Sequence, residues 1–323
     1  MKPVREKTII EIEVTNACAH ECTNCSRFVG HYKKPYFMEL ATVERAIESL
    51  LDFPGGIGIM GGDPTMHPHF PEICELMRKY VPPHRRHLWT GGFKWDTYLP
   101  LIRRTFGENV RFNNHVDVTQ KHHPMLLSIS DVIDDPEHVR RLVADCWVDR
   151  VWSASINPKG CFFCEIAAAM DVLFDGPGGL AIERGWWKKD PEAFCDQRER
   201  YCFRCGASVP FPPVRLEDRK DVVSETNYRM LREVGSPKLE KGRVTVVRDK
   251  FAEPGLAAVA QDWKPWDHLG VKQKEGTGKT VFELYGRLPG ALLKMRRTIR
   301  ARLWTFRRLE ILIEKLLWKL GLR

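Results

Sequence analysis

The sequence lacks any apolar stretch near the roughly 18 to 20 residues that a membrane-spanning helix needs, and its N-terminus has no long apolar segment suited to export. These absences predict a cytoplasmic protein, in which thiols stay reduced. Ten cysteines in such a compartment favour metal ligands over disulfides. At 323 residues with 43% apolar side chains, the chain can form one substantial core and a smaller module, so whole-chain disorder and a disulfide miniprotein are excluded.

Net charge is also absent from most of the chain. The formal charge is +9, but residues 287–323 alone hold 11 Lys or Arg against two Glu and account for all of it. The basic residues alternate there with apolar ones at helical spacing, which predicts an amphipathic helix over 281–323 suited to an anionic membrane surface. A helix that binds a partner protein or packs on the chain itself is the alternative, and nucleic-acid binding is the least favoured interpretation.

Short apolar strands alternate with amphipathic helices over residues 1–158. This pattern predicts α/β architecture with a parallel, partly closed sheet, a partial TIM-like (β/α)6 barrel whose chemistry lies at the carboxyl ends of the strands. The predicted strands are 8–15, 57–60, 87–89, 110–112, 125–129 and 147–156. The predicted helices are 40–51, 71–80, 95–105 and 136–144.

The composition changes after the barrel. Residues 159–235 are rich in Cys, Gly and Trp and poor in apolar content, which predicts a small module organised by metal with a return helix. Residues 236–280 are polar and rich in Gly, Pro and Lys, which predicts a linker or arm before the basic helix.

Three cysteines follow the first predicted strand with the spacing C-x3-C-x2-C: Cys18, Cys22 and Cys25. Three thiolates from eight consecutive residues can hold one compact inorganic cluster but leave one metal without a protein ligand, where a substrate can bind. A zinc site that borrows His20 is the alternative.

This spacing resembles that of the radical SAM superfamily. The resemblance implies a [4Fe-4S] cluster held by Cys18, Cys22 and Cys25, with S-adenosylmethionine (SAM) chelated at the fourth iron. It further implies that one electron, supplied by an external donor such as flavodoxin or ferredoxin, splits the sulfonium and releases a 5′-deoxyadenosyl radical that abstracts a substrate hydrogen.

A second motif, Gly61-Gly62-Asp63-Pro64, follows the second predicted strand and is similar to the family's GGEP motif with Asp for Glu. Glycines let the backbone approach a ligand closely, and we expect the acid and the carbonyl groups to accept hydrogen bonds from the SAM ammonium. The sequence departs from the family at Asn24, where an aromatic residue usually contacts adenine, and Phe28 is the candidate replacement.

Polar residues at the ends of later strands are further candidates. Asn113, Ser128 and Ser153 follow or lie in the fourth, fifth and sixth predicted strands, where they are expected to bind SAM or a hydroxylated substrate. A turn or core role is the alternative for each of them.

A second cysteine group contains two C-x2-C pairs, Cys161 with Cys164 and Cys202 with Cys205, and Cys195 between them. Zinc and iron–sulfur clusters both suit such thiolates. After a barrel of this kind the region resembles a SPASM or Twitch-type extension with an auxiliary [4Fe-4S] cluster. The resemblance favours Cys164, Cys202 and Cys205 as ligands, with Cys161 and Cys195 as competing candidates for the fourth position.

Two cysteines, Cys74 and Cys146, stand alone in periodic segments and are interpreted as core thiols. Three functional hypotheses follow from the whole sequence. The first is a radical SAM enzyme that abstracts hydrogen from a small polar, glycosylated or lipid-linked substrate. The second is a radical SAM peptide maturase, which is disfavoured because the chain begins almost directly at the first strand. The third is a non-catalytic, zinc-stabilised protein that docks on membranes.

Overall fold

The computed structural model describes residues 1–113, 121–209, 211, 214–215, 219–248 and 250. All of these lie in one compact unit that spans residues 1–272. The predicted basic helix over 281–323 and most of the predicted linker lie outside the described residues.

The described strands are, in chain order, β1 (Ile9–Thr15), β2 (Gly56–Gly61), β3 (Arg86–Thr90), β4 (Val110–Phe112), β5 (Lys121–His122), β6 (Ala154–Asn157), β7 (Gly160–Phe162), β8 (Val214–Arg215), β9 (Asp221–Ser224) and β10 (Val244–Val247). The main sheet has the order β4-β3-β2-β1-β6-β7. Its first five strands run parallel, and β7 returns antiparallel along β6. The architecture is therefore mixed α/β with a parallel-dominated sheet, consistent with a partial barrel.

The described α-helices are α1 (Leu40–Glu48), α2 (Phe70–Tyr80), α3 (Trp95–Phe106), α4 (Ile129–Val132), α5 (Pro136–Ala144), α6 (Trp147–Val151), α7 (Glu165–Leu173), α8 (Cys195–Tyr201), α9 (Glu225–Glu233) and α10 (Pro237–Glu240). Helices α1, α2 and α3 follow β1, β2 and β3 in turn. Every residue of β1 from Ile10 to Thr15 is buried, so both faces of this strand are covered. Because β1 to β3 are parallel and joined by these helices, the loops after them meet at one edge of the sheet.

Two of the predicted strands differ from the structure. Residues 125–129 form no strand, and α4 begins at Ile129. The predicted sixth strand is divided between α6 (147–151) and β6 (154–157). In the main sheet β6 pairs with β1 on the side opposite β2, and residues 125–129 take no part in that sheet. Short apolar runs have the same pattern in buried helices and strands, which explains the error.

The segment after α8 is more ordered than the sequence predicts. Strand β10 pairs in parallel with β9, and α9 and α10 connect them. Ser236 and Lys238, at the start of the predicted linker, are completely buried. Within the described part of the chain, no helix has the length and apolar character required to cross a membrane.

Candidate active site and cysteine pocket

Cys18, Cys22 and Cys25 lie on the loop that leaves the carboxyl end of β1, and all three are partly exposed. Thr15 shapes the start of this loop, since its hydroxyl donates to Tyr36 O at 2.6 Å and accepts from Ala17 N at 3.0 Å. We call residues 18–25 the cysteine loop. The three predicted ligands therefore lie on one loop at the carboxyl edge of the sheet.

The electrostatic surroundings of this loop disfavour free thiolates. Burial raises the pKa of Cys18 to about 12, and the neighbouring Cys25 adds to the rise. Burial also raises the pKa of Cys22, with further contributions from Cys25 and Cys18. Thiols with pKa values raised in this way are poor nucleophiles near neutral pH, and a bound metal would favour their ionised form.

The geometry also bears on the kind of metal centre. In the part of the chain that the structure describes, no three His, Cys, Asp or Glu side chains form a site for a metal ion. A structural zinc needs four ligands that converge on one point at about 2.3 Å from sulfur. A [4Fe-4S] cluster takes one thiolate at each iron, so the three thiols of the loop supply one ligand fewer than either a structural zinc or a fully ligated cluster needs.

The Gly61-Gly62 turn lies directly against the cysteine loop. Gly62 N donates to Thr15 O at 2.7 Å, and Asp63 N donates to Ala17 O at 2.7 Å. A Cβ at Gly61, whose φ is +147°, would lie 1.9 Å from Thr15 O, and one at Gly62 would lie 2.3 Å from Ala17 O. Both positions therefore require glycine, because only glycine lets the end of β2 approach the beginning of the loop.

Asp63 has a role different from the expected one. Its buried carboxylate accepts hydrogen bonds from Thr65 N at 3.0 Å, Thr90 Oγ1 at 2.9 Å and Gly91 N at 3.0 Å. Thr65 Oγ1 and Phe93 N donate to it as well. With both oxygens used in this way, Asp63 joins the ends of β2 and β3, and Pro64 begins a buried 3-10 turn after it. Backbone carbonyls at the turn are the better candidates for the SAM ammonium.

The other three predicted SAM contacts lie on different elements of the fold. Asn113 is exposed after β4. The Ser128 hydroxyl donates to Phe203 O at 3.0 Å. Ser153 immediately precedes β6, so it lies at the amino end of a parallel strand, and its hydroxyl donates to Glu165. The misplaced boundary of the sixth strand explains why Ser153 was expected at the opposite edge.

Asn24 and Phe28 do not replace the family's aromatic residue in this structure. Asn24 uses its backbone N to donate to Asp221 Oδ1 at 2.6 Å, and its side-chain oxygen accepts from Val222 N at 2.9 Å. Phe28 is 2% exposed. Asn24 therefore attaches the cysteine loop to β9, while the Phe28 ring is packed in the core.

A buried ion network that the sequence analysis missed lies beneath the loop. Arg27 Nη1 donates to Glu13 Oε1 at 3.1 Å and to Glu165 O at 2.8 Å. Arg27 Nη2 lies 2.6 Å from Glu165 Oε1 as an ion pair, without the alignment of a hydrogen bond. Burial and the nearby Glu165 raise the pKa of Glu11, the next inward-facing acid of β1, well above its usual value. Arg27 thus links the loop to the start of α7.

Four other cysteines line one pocket: Cys146, Cys164, Cys202 and Cys205. They come from the start of α6, the start of α7 and the turn after α8. Burial raises the pKa of all four, to about 12 for Cys164. The remaining thiols also raise the pKa values of Cys202 and Cys205, which places the four groups within electrostatic range of one another.

The two candidates for the fourth ligand are not at this pocket. Cys161 lies in β7, where its thiol donates to Ala181 O at 3.6 Å. Cys195, at the start of α8, is exposed. Because residues 160–162 form a strand rather than a metal knuckle, Cys161 and Cys164 do not face the same site. Cys146, which the sequence predicts to be an isolated core thiol, lines this pocket with Cys164, Cys202 and Cys205 instead, and its isolation in the sequence gives no signal of that position.

One family model matches a segment of the chain that includes the cysteine loop. Residues 12–145 match the model of the Radical SAM superfamily. Two crystal structures of BtrN are similar to part of the fold. The complex with AdoMet and 2-DOIA is 18% identical with a TM-score of 0.38, covering 61% of this chain and 88% of that chain. Selenomethionine BtrN in an open conformation is 16% identical with a TM-score of 0.39, covering 61% of this chain and 86% of that chain. No curated protein matches this chain.

Proposed function

We propose that this chain, which contains a radical SAM domain, cleaves SAM reductively and abstracts hydrogen from a small polar, glycosylated or lipid-linked substrate. The radical SAM match indicates an enzyme with SAM-cleaving chemistry in general. The single observation that carries the proposal further is the position of the three-thiol loop at the carboxyl end of β1, against the Gly61-Gly62 turn.

Cys18, Cys22 and Cys25 would hold a [4Fe-4S] cluster in this proposal. When bound, that group supplies one electron to the sulfonium of SAM, and the resulting 5′-deoxyadenosyl radical takes a hydrogen atom from the substrate. Gly61 and Gly62 keep the end of β2 close to the loop, so that backbone carbonyls can face the SAM ammonium. Asp63 accepts hydrogen bonds from five donor groups and thereby fixes the turns after β2 and β3 relative to each other.

An auxiliary [4Fe-4S] cluster bound by Cys146, Cys164, Cys202 and Cys205 is the second part of the proposal. The support is their shared pocket, in which burial raises the pKa of each of the four thiols. Four thiolates would leave no iron open to a substrate. The auxiliary cluster would therefore relay electrons or join the three chain segments that carry its ligands.

Anaerobic reconstitution with iron and sulfide, followed by dithionite and SAM, tests the function. The proposal predicts 5′-deoxyadenosine and methionine as products, and about eight irons per chain, as two four-iron clusters require. If the protein yields no 5′-deoxyadenosine and Cys18→Ala leaves its iron content unchanged, the proposal is contradicted. That result would favour the alternative hypothesis of a non-catalytic, zinc-stabilised protein.

Two partners belong to the same proposal. The electron would come from an external donor such as flavodoxin or ferredoxin. The basic residues 287–323 would bring the enzyme to an anionic membrane surface, which suits a lipid-linked substrate. Liposome co-sedimentation of the full chain and of a chain that ends at Thr280 tests the membrane contact, and equal partitioning of the two contradicts it.

A further inference from the structure

The cysteine loop is held from behind by the segment 221–243. Asp221 is at the centre of this contact, since it accepts from Asn24 N at 2.6 Å and lies 2.8 Å from both His31 Nε2 and Lys238 Nζ. The other nitrogen of His31 lies 2.7 Å from Ser236 Oγ. Lys238 and Ser236 lie in the predicted linker 236–280, whose composition gives no signal of this attachment.

Lys238 brings a positive charge to the loop itself. Its ammonium donates to Cys22 O at 2.9 Å and to Asp221 Oδ1 at 2.8 Å, and its side chain is 0% exposed. Burial of a lysine is costly, and a buried ion pair is often no more stabilising than apolar residues of the same volume. Attachment of the loop alone would not require an ammonium at this place.

The carboxylate of Asp221, which pairs with Lys238, also contacts Asn24 N and His31 Nε2. Although burial acts to raise it, the hydrogen bond from His31 and the charge of Lys238 hold the pKa of Asp221 below its usual value. One Asp221 oxygen also receives Asn24 N. The ammonium of Lys238 itself lies 2.9 Å from Cys22 O, so its charge acts directly on the cysteine loop.

A second, exposed charge group on the same face provides a contrast. Lys241 and Arg243 pair with Glu21 at 3.1 and 2.6 Å. All three side chains are 38–49% exposed, where solvent screens the charges strongly. Lys241 thus lies three residues from Lys238 and contacts the same loop, but through an exposed ion pair with Glu21 instead of a buried contact with Cys22 O.

We propose that Lys238 is a positioning residue that sets the reduction potential of the cluster on the cysteine loop. The inference rests on the proposed function, because it requires that cluster. Net charge and hydrogen bonds around a cluster tune its potential. A buried cation beside Cys22 favours the reduced, more negative state, and Asp221 partly opposes it.

The experiment compares Lys238→Met and Asp221→Asn with Lys241→Met as the matched control. Each full-length protein is reconstituted, and the cluster is titrated between reduced and oxidised forms by electron paramagnetic resonance. The signal that changes on SAM addition identifies the cluster on the loop. We expect Lys238→Met to lower the one-electron reduction equilibrium about tenfold, a shift of about 59 mV to lower potential.

Asp221→Asn should shift the potential in the opposite direction, because it leaves the Lys238 charge less compensated. A purely structural role would not give opposite signs in two variants that both weaken the same contact. Lys238→Arg should restore most of the wild-type potential, and Lys241→Met should leave it unchanged. A Lys238→Met potential equal to that of Lys241→Met overturns the inference.

Three further outcomes complete the test and distinguish a failure of this inference from a failure of the proposed function. If Lys238→Met does not retain the cluster, Asp221→Asn decides: an upward shift supports the inference, and no shift overturns it. If the wild-type protein binds no SAM-responsive cluster, the proposed function itself fails. A wild-type cluster that cleaves SAM while neither variant shifts the potential overturns the role of Lys238 alone.

Discussion

The cysteine loop and the four-cysteine pocket place thiols in comparable surroundings but are built differently. The loop takes its three thiols from eight consecutive residues after one strand. The pocket collects four thiols from three segments between residues 146 and 205. The cysteine loop can be recognised from the local spacing of its residues. The four-cysteine pocket forms only when α6, α7 and α8 pack together. The two groups also differ in the number of thiols, so the proposed function predicts an open iron at the loop and a fully ligated cluster at the pocket.

The largest expected effect comes from removing a thiol of the loop. Cys22→Ala should abolish SAM cleavage and reduce iron from about eight to about four per chain, since two ligands cannot retain the cluster. Product analysis and iron determination measure this. The exposed Cys195 provides the control, and Cys195→Ala should keep both values; a loss equal to that of Cys22→Ala would remove the distinction between the groups.

The pocket predicts a different pair of results. Cys146→Ala should lose about four irons and retain the SAM-responsive cluster, because Cys146 lines the pocket and not the loop. Cys161→Ala should keep all of the iron, since its thiol bonds to Ala181 O. The reverse result would return Cys161 to the fourth position and contradict the pocket as described.

Arg27 connects the two regions and should respond in both. Arg27→Met leaves Glu13 and Glu165 buried without their cation, at a cost of about 3–5 kcal/mol in the free energy of unfolding. Urea unfolding measures the loss, and iron content should fall at both sites because Glu165 directly follows Cys164. The exposed Arg45 is the control, and Arg45→Met should change stability by less than about 0.5 kcal/mol. Similar losses in both variants would disprove the bridging role.

The smallest effect concerns pH and the pocket side of the molecule. His123 Nε2 lies 2.7 Å from Gly206 O, next to Cys205, and burial lowers the His123 pKa to about 4. His123 binds a proton more readily in the unfolded chain than in the folded protein. Its contribution to the free energy of unfolding is therefore complete above the unfolded pKa of about 6.5 and is lost as the pH falls towards 4.

Between pH 7 and 5 the stability of the wild-type protein should therefore fall by about 2 kcal/mol more than that of His123→Gln, which keeps an N–H donor but does not titrate. Urea unfolding at the two pH values gives the difference. Parallel losses in both proteins would show that His123 is not the group responsible.

The sequence predicts the local features of this protein well and the distributed ones poorly. Strands β1 to β4, helices α1 to α3 and the Gly61-Gly62 turn follow from periodicity and spacing over a few residues. Cys146 carries no such signal, because its partners are at least 18 residues away. Lys238 belongs to a segment whose polar composition predicts a linker. It is buried because residues 221–243 pack against the cysteine loop.

Iron-57 Mössbauer spectroscopy of the reconstituted protein, with and without SAM, tests the contrast between an open and a closed cluster most directly. The account predicts that one iron out of about eight changes its spectrum when SAM binds, and that Cys146→Ala keeps this change while Cys22→Ala loses it. A spectrum that SAM leaves unaltered, or a response that depends on Cys146 and survives Cys22→Ala, would contradict it.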